Sequence, residues 1–255
     1  MASSNGWFVG YAVWTWEKNA MEVTEEEIPK ISILYQDDAL IVINKPSGIA
    51  VHRGWDRDKY FAMTLTRDRV GQYVYPVHRL DKPTSGALIF LLESSLVAPL
   101  QTSFQEGDVQ KHYITLTRGV APEEGIFERQ LRSKGKSEGP YVDAMTTFRR
   151  HFVFENRYSV VSAFPKTGRL HQIRRHFKQA SLHLIGDVKY GKGEHNRIFR
   201  ERFDLHRLAL HALEITFPHP VSGEMIHIYA PPPDDIHMPF ARMGVPEDIW
   251  KAQLG

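Results

Sequence analysis

In the stretch "YPVHRLDKPTSGALIFLLE", Tyr75 to Glu93, an acidic side chain, Asp81, stands between Arg79 and Lys82, beside Pro83, just ahead of an apolar run. Strand ends commonly present functional groups. Two adjacent bases favour the ionised carboxylate, which suits a nucleophile or general base; a solvated turn aspartate is the other reading. Asp81-Lys82-Pro83-Thr84 also has a superficial likeness to an aspartyl-phosphate loop. The glycine of such a loop is missing, however, and no Asp-rich magnesium motif follows.

A second concentration of chemistry is "TGRLHQIRRH". His171 and His176 lie about 140° apart on a helical wheel, so they cannot share one metal as an i,i+4 pair does. Arg174 falls at the rim of the apolar face, where a guanidinium needs an anion, either a carboxylate or a phosphate. A salt bridge with no functional role would also satisfy it. Tyr113 in "QKHYITL" is a third candidate, although local sequence does not separate a functional strand tyrosine from a core one.

The elements that must position these groups can be read from pattern. "ISILYQDDALIVINKPSG" predicts two strands around an Asp37-Asp38 turn, with Ile33, Tyr35, Leu40 and Val42 among the alternating apolar positions. A helix is expected near Phe61 to Val70. "GALIFLLE" is a continuous apolar run, as in a strand buried on both faces. "SSLVAPLQTSFQEG" predicts a helix carrying Leu96, Leu100 and Phe104 and ending at Gly107. "KHYITLTRG", "DAMTTFRRHFVFE" and "RYSVVSAFP" are rich in β-branched and aromatic residues and predict strands. "TGRLHQIRRHFKQAS" predicts a helix whose buried face holds Leu170, Ile173 and Phe177, within about 60° of one another, with Arg175 pointing away. "ALEITFPHPVSGEMIHIYAPPP" predicts a hairpin around Pro218 to Gly223. Strands outnumber helices without regular βαβ alternation, which predicts an α+β fold with a mixed or antiparallel sheet.

The composition is that of an ordinary globular protein: 255 residues, 42% hydrophobic and 24% charged, with a formal net charge of +2. The charge is unevenly spread. Lys166 to Arg207 holds eleven Lys/Arg against four Asp/Glu, whereas Glu17 to Asp38 holds seven acids against two bases. The basic stretch could face a polyphosphate or be a solvated surface. With no cysteine, disulfides, thiol nucleophiles and cysteine-ligated metal sites are excluded. "WFVGYAVWTW" is too short to span a bilayer and lacks the basic start of a signal peptide. Residues 1–28 read as an N-terminal extension, with Met21 as an alternative start, and 29–255 as one domain.

"HRLDKPTSG", "KHY", "PKTGRLHQIRRH" and "LIGDVKYG" together resemble the RluA-type family of RNA pseudouridine synthases. The resemblance runs from about Ile31 to the C-terminal hairpin. It implies a single α+β catalytic domain, with a bent, mixed, largely antiparallel sheet, flanking helices and an active site in a central cleft. On the matching positions it implies that Asp81 is the catalytic aspartate, Tyr113 the tyrosine that packs on the uracil, and Arg174 the basic partner of the aspartate. Arg79 would intrude where the target base has left the stack. His78, Leu80, Arg53, Arg169, His171 and Arg207 are the further substrate-binding expectations. One departure is visible, since "LHLIGD" has Leu182 and His183 where the family commonly has His-Pro.

The reaction so implied isomerises uridine to pseudouridine with no net redox change, so no cofactor or metal is expected. The expected partner is RNA, acted on by a monomer in the cytoplasm, with no membrane involvement. "VHRGWDRDK" and the C-terminal "HPVSGEMIHIYAPPPDDIHMPFARMGV" most resemble the branch acting on a T-stem uridine of tRNA, uridine 65. Large-subunit ribosomal RNA is the alternative substrate, a non-catalytic RNA-binding protein a further one, and phosphotransfer through Asp81 a third.

Overall fold

The computed structural model describes residues 28–54, 58–133 and 139–251. In chain order these form β1 (Ser32–Gln36), β2 (Leu40–Lys45), α1 (Ala62–Val70), β3 (Tyr75–Pro76), β4 (Ser85–Leu91), α2 (Val97–Glu106) and β5 (Gln110–Arg118). Then follow β6 (Glu124–Glu128), β7 (Leu131–Arg132), β8 (Tyr141–Val142), β9 (Met145–Phe154), β10 (Tyr158–Pro165) and α3 (Gln172–Gln179). Next come α4 (Gly193–Phe203), β11 (Leu210–Pro218), β12 (Met225–Tyr229) and α5 (Asp234–Arg242), followed by a short 3-10 turn at Glu247–Trp250. The expected α+β class is observed. Most of the proposed N-terminal extension lies outside the described residues.

One ten-stranded mixed sheet runs β1-β2-β4-β11-β5-β10-β9-β6, with β12 on β11 and β3 on β4. Every adjacent pair is antiparallel except β4 and β11, which are parallel and share only the register Ser85↔His211 and Gly86↔Ala212. The two halves of the sheet therefore meet at a short seam, directly after the Asp81 turn. Gly86 makes the seam possible: its φ is +117°, and a Cβ there would lie 2.1 Å from the carbonyl oxygen of Ala212. Only glycine meets both conditions.

β4 is buried at all seven positions, as its unbroken apolar pattern predicts. Ala87, Ile89 and Leu91 enter one core cluster with α2, while Leu88 and Phe90 enter another with Ala62 of α1. β5 alternates differently. Ile114 and Leu116 point into a core with Phe199 and Phe203 of α4 and Ile236 and Phe240 of α5, which leaves Tyr113 on the opposite face.

Two elements depart from pattern. The helix expected over "TGRLHQIRRHFKQAS" begins only at Gln172, and Leu170 lies in the loop before it. The Gln172 side-chain oxygen accepts from the Thr167 hydroxyl (2.6 Å) and the Arg169 amide (3.0 Å), folding Thr167 to Arg169 into a turn. His171 then takes a left-handed conformation, φ 51°, which a helix interior does not allow. The basic stretch also contains a helix, α4, that its charge pattern obscured; Phe199 and Phe203 anchor it in the core.

Replacing Gly86 with alanine is expected to lower unfolding stability by about 2 kcal/mol or more, because the added methyl strikes the Ala212 backbone in an unfavourable φ. Chemical denaturation of the two proteins reads this directly, and equal midpoints would refute the seam's need for glycine.

Candidate active site

Asp81 sits in the turn between β3 and β4, where the Thr84 amide donates to the Asp81 carbonyl at 2.9 Å. The turn is fastened to the loop after β2. Gly48 N donates to the Lys82 carbonyl (2.9 Å) and the Ser47 hydroxyl to that of Pro83 (2.9 Å). The fully buried Lys45 ammonium donates to the carbonyls of Pro46 (2.8 Å), Ile49 (2.8 Å) and Lys82 (3.3 Å). Burial, reinforced by the charge of Arg207, brings the Lys45 pKa down to about 7. Its proton is spent on backbone carbonyls, so Lys45 sets the shape of the turn.

Arg174 reaches Asp81 from α3. Its Nη1 donates to Asp81 Oδ2 at 2.9 Å, while Nε and Nη2 form a two-pronged pair with Asp187 at 2.8 and 2.9 Å. Arg174 and Asp187 are buried, whereas the Asp81 side chain keeps 14% exposure to the cleft. Burial alone would disfavour the Arg174 cation. The hydrogen bonds and charges of Asp187, and then of Asp81, outweigh it and raise the pKa above its ordinary value. For Asp187, burial works against ionisation, but the Arg174 fork and the amides of Tyr190 and Lys189 prevail, leaving the pKa below the usual carboxylate range.

The loop that delivers Asp187 is itself shaped by close approach. Gly186 has φ +77°, and a Cβ there would lie 1.8 Å from the Arg207 carbonyl oxygen. Asn196 of α4 accepts from the Gly186 amide (2.8 Å) and donates to the Asp187 carbonyl (3.1 Å). Leu182 and His183, the departure noted in sequence, fit this loop: Leu182 packs with Phe177 and Leu184, and His183 Nδ1 donates to the Tyr190 carbonyl at 2.7 Å.

His171 completes the ring of contacts. Its Nδ1 hydrogen-bonds the Tyr190 hydroxyl at 2.9 Å and its Nε2 stands 3.8 Å from Asp81 Oδ1. Burial lowers its pKa, the Asp81 charge opposing and the Arg174 charge assisting. Tyr113 lines the same cleft; burial and then the Asp81 charge raise its phenol above its ordinary pKa, so it stays protonated.

The cleft has a volume of about 790 Å³, within the range of roughly 300–1,000 Å³ typical of ligand pockets. Asp81, Tyr113, Arg174, Arg79, His78, Leu80, Arg169 and His171 all line it. Their exposure differs. Arg79 and Arg169 are exposed on the cleft, with Arg169 Nε also donating to the Asp143 carbonyl at 3.0 Å. Leu80 is buried in the core beneath. His78 accepts the Ile89 amide at 2.9 Å and stacks on Phe104, with a pKa brought down to about 3 by burial and by the Lys111 charge, so it braces the turn as a neutral ring.

Two expected residues lie elsewhere. Arg207 turns away from the cleft and bonds Asp235 (2.7 Å), the Ser85 hydroxyl (2.7 Å) and the Leu210 carbonyl (3.2 Å), stitching α5 to the β4–β11 seam. Arg53 is exposed and does not line the cleft. Lys82, read from sequence as a neighbour favouring Asp81 ionisation, instead pairs with Asp58. Asp187 was not recognised from sequence as the second partner of Arg174. The available signal was an arginine at a core rim, whose five donors one carboxylate cannot fill.

A family model described as RNA pseudouridylate synthase matches residues 39–179. The chain is 35% identical over 242 residues to a tRNA pseudouridine synthase C of Vibrio parahaemolyticus, spanning 87% of this chain and 98% of the relative. It is 38% identical over 220 residues to the protein of that name from Haemophilus ducreyi, spanning 79% and 90%. Among solved structures, human RNA pseudouridylate synthase domain containing 4 shares the fold, with a TM-score of 0.67, 22% identity, and coverage of 84% and 93%. Human RNA pseudouridylate synthase domain containing 1 does so with a TM-score of 0.66, 23% identity, and coverage of 82% and 87%.

Asp187→Asn is expected to destabilise the protein by about 3 kcal/mol, because it leaves a buried guanidinium under-paired. Since the folded pKa of Asp187 is depressed, its contribution is full above the ordinary carboxylate value of about 3.9 and is lost as pH falls through the lower folded value. Denaturant titrations across pH should therefore show a shallower acid limb for the variant. A limb as steep as that of the unmodified protein would exclude this source.

Proposed function

The chain belongs to the RNA pseudouridylate synthase family, and we propose that it converts a T-stem uridine of tRNA, uridine 65, to pseudouridine with Asp81 as the catalytic carboxylate. The observation that carries the proposal is the Arg174–Asp81 contact at 2.9 Å in the cleft that Tyr113 also lines. The tRNA substrate rests on similarity to relatives named for tRNA over 87% and 79% of the chain.

Paired bases hide the reacting atoms, so the target nucleotide must leave the stack, at a cost of a few kcal/mol. Arg79, exposed on the cleft, is suited to fill the vacated space and offset that cost. The extruded uracil then lies against Tyr113, and Asp81 either attacks C1′ or removes the 2′ proton. Either step needs an ionised carboxylate in a fixed direction. Arg174 supplies both requirements: its charge stabilises the anion, and its own orientation is held by Asp187. Uracil released from C1′ rotates and rejoins through C5, displacing the Asp81 carboxylate from C1′ in the first route or with return of the 2′ proton in the second; loss of the C5 proton and protonation of N1 complete the isomerisation. Tyr113, protonated and adjacent, is placed to assist late proton movement. Arg169 and His171 border the ribose and its phosphates.

Asp81→Asn is expected to abolish pseudouridine formation on transcribed tRNA while leaving RNA affinity within about threefold, since a near-isosteric change removes no phosphate contact. Tritium release from C5-labelled uridine reads the reaction, and filter binding reads the affinity. Full-rate turnover in this variant would end the assignment of Asp81. Mapping the product to a uridine outside the T stem, or to ribosomal RNA, would end the assignment of substrate.

A further inference from the structure

The cleft carries a second cationic feature that the Asp81–Arg174 pair leaves unexplained. Lys111 lies two residues before Tyr113 on β5, so both side chains project from the same face of that strand. The stem of Lys111 is half-buried, and its ammonium stands 5.8 Å from the ring centroid of Phe104 on α2. Lys166, immediately after β10, lines the same space, as do Gln101 and Gln105, one turn apart on α2. Among the described residues, no carboxylate pairs with Lys111, and the charge acting most directly on it is another cation, Lys166. Burial first, and then that like charge, bring its pKa down to about 8.

A partly desolvated ammonium in the same cleft as a second, exposed one is an unfavourable arrangement that an anion between them relieves. Elsewhere around the site the fold supplies partners for its cations: Arg174 has Asp81 and Asp187, Lys82 has Asp58, Arg207 has Asp235, and Lys45 has three backbone carbonyls. For Lys111 and Lys166 the space where an anion would fit opens into the cleft. Ammonium groups suit a phosphate there, because they act as point charges and do not demand the planar, two-pronged geometry of guanidinium.

We propose that Lys111 and Lys166 form a subsite for one phosphodiester of the RNA strand that carries the target nucleotide. This rests on reading the cleft as the uridine-binding site. With the backbone held on the β5–α2 side, the ribose of the extruded nucleotide is presented to Asp81, and the pair removes from solution a charge that would otherwise resist entry into the cleft. The subsite gives this wall of the cleft, together with the exposed arginines, control of where the strand runs.

The test is binding of a T-arm stem-loop RNA, measured across salt concentration in the Asp81→Asn background so that no turnover intervenes. Lys111→Gln and Lys166→Gln should each weaken binding about three- to tenfold and reduce the slope of log affinity against log salt by about one. The double variant should lose little more slope than either single one, because both ammoniums share one phosphate. Lys111→Arg, which keeps the charge, should retain the slope and so exclude misfolding as the cause. A neutral methylphosphonate at a phosphate flanking the target uridine should weaken binding by the protein with both lysines and have no further effect on the double variant. Unchanged slopes in the glutamine variants, or an additive loss for methylphosphonates at both flanking phosphates in the double variant, would overturn the subsite. Conversion of the same RNA by the chain with Asp81 intact tests the functional reading separately: if it binds but converts nothing, that reading fails while the slopes still decide the subsite.

Discussion

Arg174 is shared between two carboxylates, and the geometry of the cleft depends on that sharing. One edge of the guanidinium is committed to Asp187, which is buried and supported by two backbone amides. The remaining Nη1 is thereby aimed at Asp81. A flexible arginine on its own would lose much side-chain entropy in holding one partner; here the loss is met during folding. Asp81 thus receives a charge already oriented, in a low-dielectric setting where such a charge acts strongly.

The same economy governs the backbone around the site. Asp81 lies four residues before the Ser85–Gly86 seam, the one parallel strand pairing among the described residues of the sheet. Gly86 lets β11 approach, and Arg207 and His211 both bond the Ser85 hydroxyl across it, at 2.7 Å each. Lys45 and Ser47 secure the preceding turn from the other side. Arg207, which from sequence could have served RNA, is used instead to tie α5 to the seam between the two halves of the sheet. The cleft itself is lined by other cations, among them Arg79, Lys111 and Lys166.

Local pattern made most strands readable because each has one dominant signal. β4 is an unbroken apolar run, and α2 ends at a left-handed Gly107 as its composition predicts. Pattern failed where side chains override it. Gln172 bonds backward to Thr167 and Arg169 and delays α3 by several residues, an arrangement no hydrophobic period reports. In α4, a high density of charge on the solvent face hid the two phenylalanines that anchor it.

The sequence by itself determined the chemistry available: an aspartate ahead of a buried strand, an arginine at the rim of a helix face, a strand tyrosine, and motifs specific enough to indicate the family. Those are properties of residue type and short-range order. Only the tertiary structure decided which charges meet. Asp81 and Arg174 are ninety-three positions apart, Asp187 takes the second edge of that arginine, and Lys82 beside Asp81 turns to Asp58 instead. Neighbours in sequence compete for partners in space, and the outcome depends on burial, direction and loop closure that no local pattern encodes.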